Sequence, residues 1–143
     1  MPNQISPRLS GWPERLATLA LDCDRSFACD QARLLREMRD LLLVAKHGVL
    51  TGADQFRSAM QAQAYESAAL ILLGEDCGFM LSRGAGGRYL ASVVLPGRQD
   101  EYSASGDTAA LALVGALALA MRQAPPLRPE MGEMAPPPLM RLN

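Results

Sequence analysis

Residues 78–106 read GFMLSRGAGGRYLASVVLPGRQDEYSASG, and this stretch decides the fold. It holds three short segments, at 78–83, 89–95 and 101–105, separated by breaks that read GAGG and PG. Segments of this length, bounded by glycine and proline, are typical of β-strands joined by tight turns. The stretch therefore predicts a three-stranded antiparallel meander.

The central segment, 89–95, is apolar on both of its faces. Tyr89, Ala91, Val93 and Leu95 share one face, because successive side chains of a strand alternate, yet Leu90 and Val94 on the opposite face are apolar too. This pattern predicts that both faces of the sheet are covered, either by helices or by a second subunit.

Helical patterns flank the meander on both sides. Apolar residues recur at i, i+3 and i+4 over 13–21 and over 30–49, and an alanine-rich helix is expected over 108–122. We predict an α+β fold with N-terminal helices, a three-stranded antiparallel meander, a closing C-terminal helix and a Pro-rich tail.

Local signals predict where these helices begin and end. Asp30 is expected to cap the helix that begins after it, and Gly48 or the residues just beyond should end that helix. Thr51 and Asp54 fit a capping box that opens a third helix, expected to run unbroken to Leu73. Its core stripe would then include Phe56, Ala59, Met60, Ala64, Ser67, Leu70 and Ile71.

The 143 residues are expected to form one domain at 13–123, preceded by an irregular arm at 1–12 and followed by the tail at 124–143. The 14 basic and 15 acidic residues nearly cancel, which argues against nucleic acid as a partner. Three cysteines without CxxC spacing fit a reducing compartment. No secretory signal pattern opens the chain, and its longest apolar run, 109–121, would span only about 20 Å as a helix. We expect a cytoplasmic protein that does not cross a membrane.

One edge of the predicted sheet is the best candidate for a ligand site. The turn at 84–87 and the start of the last helix should lie at the same edge, where free backbone N–H groups and two arginines favour an anion such as a phosphate. The candidate residues are Arg83, Gly86, Gly87, Arg88, Ser105, Gly106 and Thr108. The alternative is that Asp107 simply caps the helix and pairs with an arginine.

The sequence indicates no catalytic residue, metal site or cofactor. His47 is the only histidine, and no serine or cysteine pattern identifies a nucleophile for it. Cys23 and Cys29 are not spaced as in a zinc module. Enzymatic activity is therefore less expected than binding.

The runs AALILLGEDCGFMLSRG, YLASVVLPG and EYSASGDTAALALVGALALA, within residues 65–122, resemble small phage and prophage proteins of the alpha-beta-alpha sandwich type. The residues that match are Gly106, Thr108, Ala112, Leu113 and Ala116. The resemblance implies a helix before a small antiparallel sheet and a Gly-x-Thr turn into the closing helix. It implies no catalytic residues.

The leading hypothesis is a non-enzymatic, bacterial or phage-derived protein that binds another protein through an apolar face or through the tail. In the tail, six prolines separate the candidate contact residues Leu127, Met131, Met134, Leu139 and Met140. The apolar strand faces and the low net charge also predict a homo-oligomer. The second hypothesis is a module that binds or sequesters an anionic metabolite or nucleotide at the Arg83 edge.

Overall fold

A computed structural model describes residues 11–46 and 48–123, and it has the predicted α+β fold. Four helices come first, and a single 3-10 turn at Ala28–Asp30 separates the first two. They are α1 (Trp12–Arg25), α2 (Gln31–Ala45), α3 (Ala53–Gln61) and α4 (Tyr65–Leu73). The strands β1 (Gly78–Arg83), β2 (Tyr89–Val94) and β3 (Tyr102–Gly106) follow, and α5 (Ala109–Gln123) closes the domain.

The three strands form an antiparallel sheet in the order β1-β2-β3, which confirms the predicted meander. The turn between β1 and β2 is closed by two backbone hydrogen bonds. Gly84 donates its N–H to the Arg88 carbonyl at 2.8 Å, and Gly87 donates to the Gly84 carbonyl at 3.0 Å. Gly87 has a φ of 89°, a conformation that glycine adopts at little cost, so this turn needs its glycine.

The helix α5 is the centre of the core. Twelve of its residues are buried, and it packs against β2, β3, α1, α2 and α4. A helix that is apolar around its whole circumference is stable only when it is covered on all sides. Small residues allow close packing here: a Cβ on Gly115 would stand 3.2 Å from the Cβ of Ala104 in β3.

The first two helices form a layer beside α5. The predicted apolar residues of α1, Leu16, Leu19 and Ala20, are buried as expected. Trp12 is the first residue of α1, and its indole N–H donates to the Leu41 carbonyl of α2 at 3.2 Å. This bond fixes α1 to α2 because the tryptophan is almost fully buried.

The prediction of one unbroken helix to Leu73 is wrong. The chain leaves the helix after Gln61, and Gln63 adopts a left-handed φ of 57° before α4 begins at Tyr65. The break turns α4 so that Ala68, Ala69 and Leu72 are buried, whereas the expected core residue Ser67 is exposed.

The predicted helix starts also differ from the structure. No side-chain capping bond forms at α3; its N-cap is Gly52, and Asp54 instead lies 3.0 Å from Arg57. The Asp30 carboxylate accepts the Phe27 N–H at 3.1 Å rather than an amide of α2. The α2 helix ends at Ala45, so Val49, which was expected on its apolar face, is exposed.

Candidate functional site

Part of the predicted ligand edge lines one groove. Arg83 and Gly87 of the β1–β2 hairpin lie there with Asp107 and Thr108, as the meander topology predicts. The N-terminal residues of α4 and of α5 line the same groove, which has a volume of about 580 Å³. We call it the hairpin groove.

Thr108 has a structural role at this groove. Its hydroxyl donates to Gln31 Oε1 at 3.0 Å and accepts the Leu111 N–H at 3.1 Å. It therefore caps α5 and also joins that helix to the start of α2. A ligand that bound this hydroxyl would have to replace bonds that already hold two helices together.

The Arg88 side chain does not line the hairpin groove. Its guanidinium donates to the Asp24 carboxylate at 2.8 Å and to the Asp24 carbonyl at 3.0 Å, so it ties the hairpin to the end of α1. Arg83 lies over the Tyr89 ring, 5.8 Å from its centroid. Among the described residues that line the hairpin groove, one arginine therefore stands against the carboxylates of Glu66 and Asp107.

The remaining candidates of this set do not line the hairpin groove. Gly106 is buried where β3 meets α5, and a Cβ there would stand 2.7 Å from the Ala112 nitrogen. The Ser105 side chain extends from the face of the sheet opposite α5, and Gly86 is an exposed turn residue. The structure thus brings Arg83, Gly87 and Thr108 together, and leaves Gly86, Arg88, Ser105 and Gly106 elsewhere.

Two cysteine side chains are held in their neutral form. Burial, with smaller contributions from Asp22 and Glu37, raises the pKa of the Cys23 thiol to about 12. Burial likewise raises the pKa of Cys77. A thiol that stays protonated at neutral pH is a poor nucleophile and a poor metal ligand. Cys29 is a free, exposed thiol, and His47 lies outside the described residues.

The strand β1 forms an open edge of the sheet. The helix α5 packs against β2 and β3, and α1 packs against β3, but no helix of the described chain packs extensively against β1. Met80 is 71% exposed and Phe79 is 46% exposed, although both side chains are large and apolar. Edge strands of natural proteins are usually protected by charges, prolines or covering elements. Within residues 11–46 and 48–123, nothing of this kind protects β1 between Phe79 and Ser82.

Backbone groups along this edge are available for pairing. Because Gly84 bonds to Arg88 across the hairpin, the alternation of an antiparallel ladder directs the backbone of Ser82 and Met80 toward β2. The N–H and carbonyl groups of Phe79, Leu81 and Arg83 then point away from the sheet. They form a row that an added strand would complete.

An apolar groove lies beside the start of this edge. Phe79 of β1 and Pro96, which follows β2, line it together with Leu70 and Ile71 of α4. Its volume is about 750 Å³, and Glu75 and Asp76 also line it. We call it the β1 groove. Lys46 is the one cation among its lining residues in the described chain.

The outer face of the sheet, opposite α5, carries no charge. From the strand register, its residues are Gly78, Met80, Ser82, Leu90, Ser92, Val94, Ser103 and Ser105. The hydroxyls of Ser92 and Ser103 are hydrogen-bonded to each other at 2.7 Å, so the polar part of the face lies toward β3. The apolar part, with Met80 and the 46% exposed Leu90, lies toward β1.

Sequence reasoning found the apolar faces of β2 but missed the open edge of β1. The signal was present, because the first strand of a three-stranded meander is always an edge and this one carries Phe79, Met80 and Leu81 in succession. The tail residues predicted to make contacts, 127–140, lie outside the described residues, and their role stays a prediction.

A scan against models of protein families found no match, and searches of curated proteins and of solved structures found none either. Among the helices of residues 11–46 and 48–123, none is long and apolar enough to cross a membrane.

Proposed function

We propose that this protein is a non-enzymatic interaction module that binds a partner strand along the open edge of β1. The observation that carries the proposal is that Phe79, Met80 and Leu81 lie on a strand against which no helix of the described chain packs extensively. An added strand would satisfy the outward backbone groups and bury these side chains, so affinity would come from both. A bacterial or phage-derived origin stays part of the proposal, and it rests on the resemblance of residues 65–122.

The edge is suited to a protein partner rather than to a small ligand. Three successive residues of the six-residue strand, Phe79, Met80 and Leu81, carry large apolar side chains, and the β1 groove continues the apolar surface past Phe79 toward α4. Exposed apolar surface of this kind, bordered by polar residues, is typical of protein contact sites. Here the border is formed by Glu75 and Asp76 at one end of β1 and by Arg83 at the other.

The second hypothesis, an anionic ligand in the hairpin groove, has less support. One arginine there is opposed by two carboxylates, and the Thr108 hydroxyl already serves two helices. The two helix starts do provide backbone N–H groups, which attract anions. Because the carboxylates of Glu66 and Asp107 repel anions, the balance of charge favours the edge of β1 as the functional surface.

Site-specific photocross-linking tests the proposed edge. A photoreactive phenylalanine at position 80 should form a defined adduct, with any protein that binds β1, in living cells that express the chain. The same group at position 27 is the matched control, because Phe27 is also exposed, at 66%, but lies between α1 and α2. Equal adducts from the two positions would contradict the proposal.

Two proline variants make the test specific for the backbone edge. Leu81→Pro removes an N–H that points away from β2, so the internal ladder keeps its bonds while the edge loses a donor. Ala85→Pro is the control, because residue 85 occupies the second position of the β1–β2 turn, which favours proline. The adduct at position 80 should disappear with Leu81→Pro and persist with Ala85→Pro; an adduct that survives both would place the contact elsewhere.

A further inference from the structure

We infer that the strand that completes the edge of β1 is the β1 of a second copy of this chain, paired antiparallel about a two-fold axis beside Leu81. The inference rests on the proposed function, because it names the partner of the same edge. The product is a dimer with one continuous six-stranded sheet, in which both α5 helices lie on the same side.

The free backbone groups of β1 fit this pairing. Phe79, Leu81 and Arg83 are the residues whose N–H and carbonyl groups point outward. With the axis beside Leu81, that residue pairs with the partner's Leu81, and Phe79 pairs with the partner's Arg83. Every outward-facing residue of the strand then has a partner, and side chains that lie opposite each other extend from the same face of the sheet.

The side chains that meet in this register are compatible. On the inner face Leu81 meets the partner's Leu81, and Phe79 meets the partner's Arg83, a guanidinium that already lies over one aromatic ring within its own chain. On the outer face Met80 meets the partner's Ser82. No like charges stand opposite each other, which would be the costly arrangement across paired strands.

The charges at the two ends of β1 favour the antiparallel direction and a second copy. Glu75 and Asp76 precede the strand and line the β1 groove, while Arg83 ends it. Antiparallel pairing brings the partner's Arg83 to the acidic end of each strand, so opposite charges approach twice in one dimer. A net charge of only −1 on the chain adds little repulsion between copies.

Concentration-dependent mass measurement of the purified full chain is the first test. We expect light scattering and sedimentation to show a species of twice 15.4 kDa that dissociates on dilution. Leu81→Pro should abolish it and Ala85→Pro should not. A species that stays at 15.4 kDa at all accessible concentrations overturns the inference. In that case a position-80 adduct with a different protein would still support the proposed function, and absence of any adduct would reject both.

Cross-linking by engineered cysteines tests the register without relying on a destabilising variant. In a Cys29→Ser background, which removes the exposed thiol, Met80→Cys combined with Ser82→Cys should give a covalent dimer on oxidation. Each single variant should remain uncross-linked, because in this register position 80 faces position 82 of the partner. A covalent dimer from Met80→Cys alone, or none from the double variant, overturns the register.

A charge exchange tests the contact between the strand ends. Arg83→Glu should weaken self-association about tenfold, since the dimer contains the contact twice. Adding Asp76→Arg to that variant should restore most of the affinity, whereas a merely structural effect of Arg83 would not be rescued. Deletion of residues 124–143 should leave the dimer intact; its loss on deletion would assign the contact to the tail and overturn the inference.

Discussion

Gly106, at the end of β3, lies so close to Ala112 of α5 that a Cβ on the glycine would stand 2.7 Å from the Ala112 nitrogen. The same Cβ would stand 2.9 Å from the Cβ of Leu111. Backbone atoms cannot move aside as the end of a flexible side chain can. The sheet therefore meets α5 at a position where only hydrogen fits.

Gly106→Ala is expected to lower the free energy of unfolding by about 1–3 kcal/mol, because the added methyl group forces β3 away from α5. Chemical denaturation followed by circular dichroism measures the change. Gly86→Ala is the matched control, since a Cβ there has no neighbour within 4 Å and the residue is exposed. Equal loss in both variants would contradict the close contact.

Gln63→Gly is expected to raise the free energy of unfolding by up to about 1 kcal/mol, because glycine adopts the left-handed φ of 57° without the cost that a Cβ imposes. Gln61→Gly, two residues earlier and at the end of α3, should have the opposite effect, because glycine is a poor helix former. Thermal melts of the two variants compare them. If Gln63→Gly is as destabilising as Gln61→Gly, the result would contradict the left-handed conformation of Gln63 between α3 and α4.

The stability should fall as the pH rises above about 9. The folded pKa of Cys23 is about 12 and its ordinary value is 9.0, so the folded chain keeps a proton that the unfolded chain has lost. The contribution of this thiol to the free energy of unfolding is complete below pH 9.0 and is lost as the pH approaches 12. Over this range the free energy of unfolding should fall by at most about 1.4 kcal/mol per pH unit for this thiol. Urea titrations across this range measure the slope.

Cys23→Ala should flatten that slope, and Cys29→Ala, which removes an exposed thiol, is the matched control. Cys77 contributes in the same direction, since burial raises its pKa as well, although Lys46 opposes the shift. A slope that Cys23→Ala leaves unchanged would assign the alkaline loss of stability to other groups.

Inorganic phosphate and nucleotides should not stabilise the fold specifically. The hairpin groove holds Arg83 against Glu66 and Asp107, and binding of an anion there would have to overcome both carboxylates. Thermal melts with phosphate, compared with the same ionic strength of sodium chloride, measure the effect. A saturable rise in melting temperature that Arg83→Gln removes would instead support the anion-binding hypothesis.

The predicted strands agree with the structure to within one residue, because glycine and proline mark their turns locally. The break at Gln63 was not predictable in this way, since Ala62, Gln63 and Ala64 are compatible with a helix and the break follows from how α4 must lie on α5. The ion pair of Arg88 was likewise not predictable from local sequence, because its partner Asp24 lies 64 positions earlier in the chain. Local patterns therefore located the elements, whereas contacts between distant segments decided which predicted site residues remain free.

The position of α5 has a consequence for how the chain folds during synthesis. This helix is the last described element, yet α1, α2, α4, β2 and β3 all pack on it. Until residue 123 has left the ribosome, the surfaces of these helices and strands that pack on α5 are not covered by it. Contacts between distant segments form late, so a core that needs them folds more slowly and keeps its apolar surface exposed for longer. We expect nascent chains that stop before Ala109 to be bound by chaperones, and the domain to close only after translation of α5 is complete.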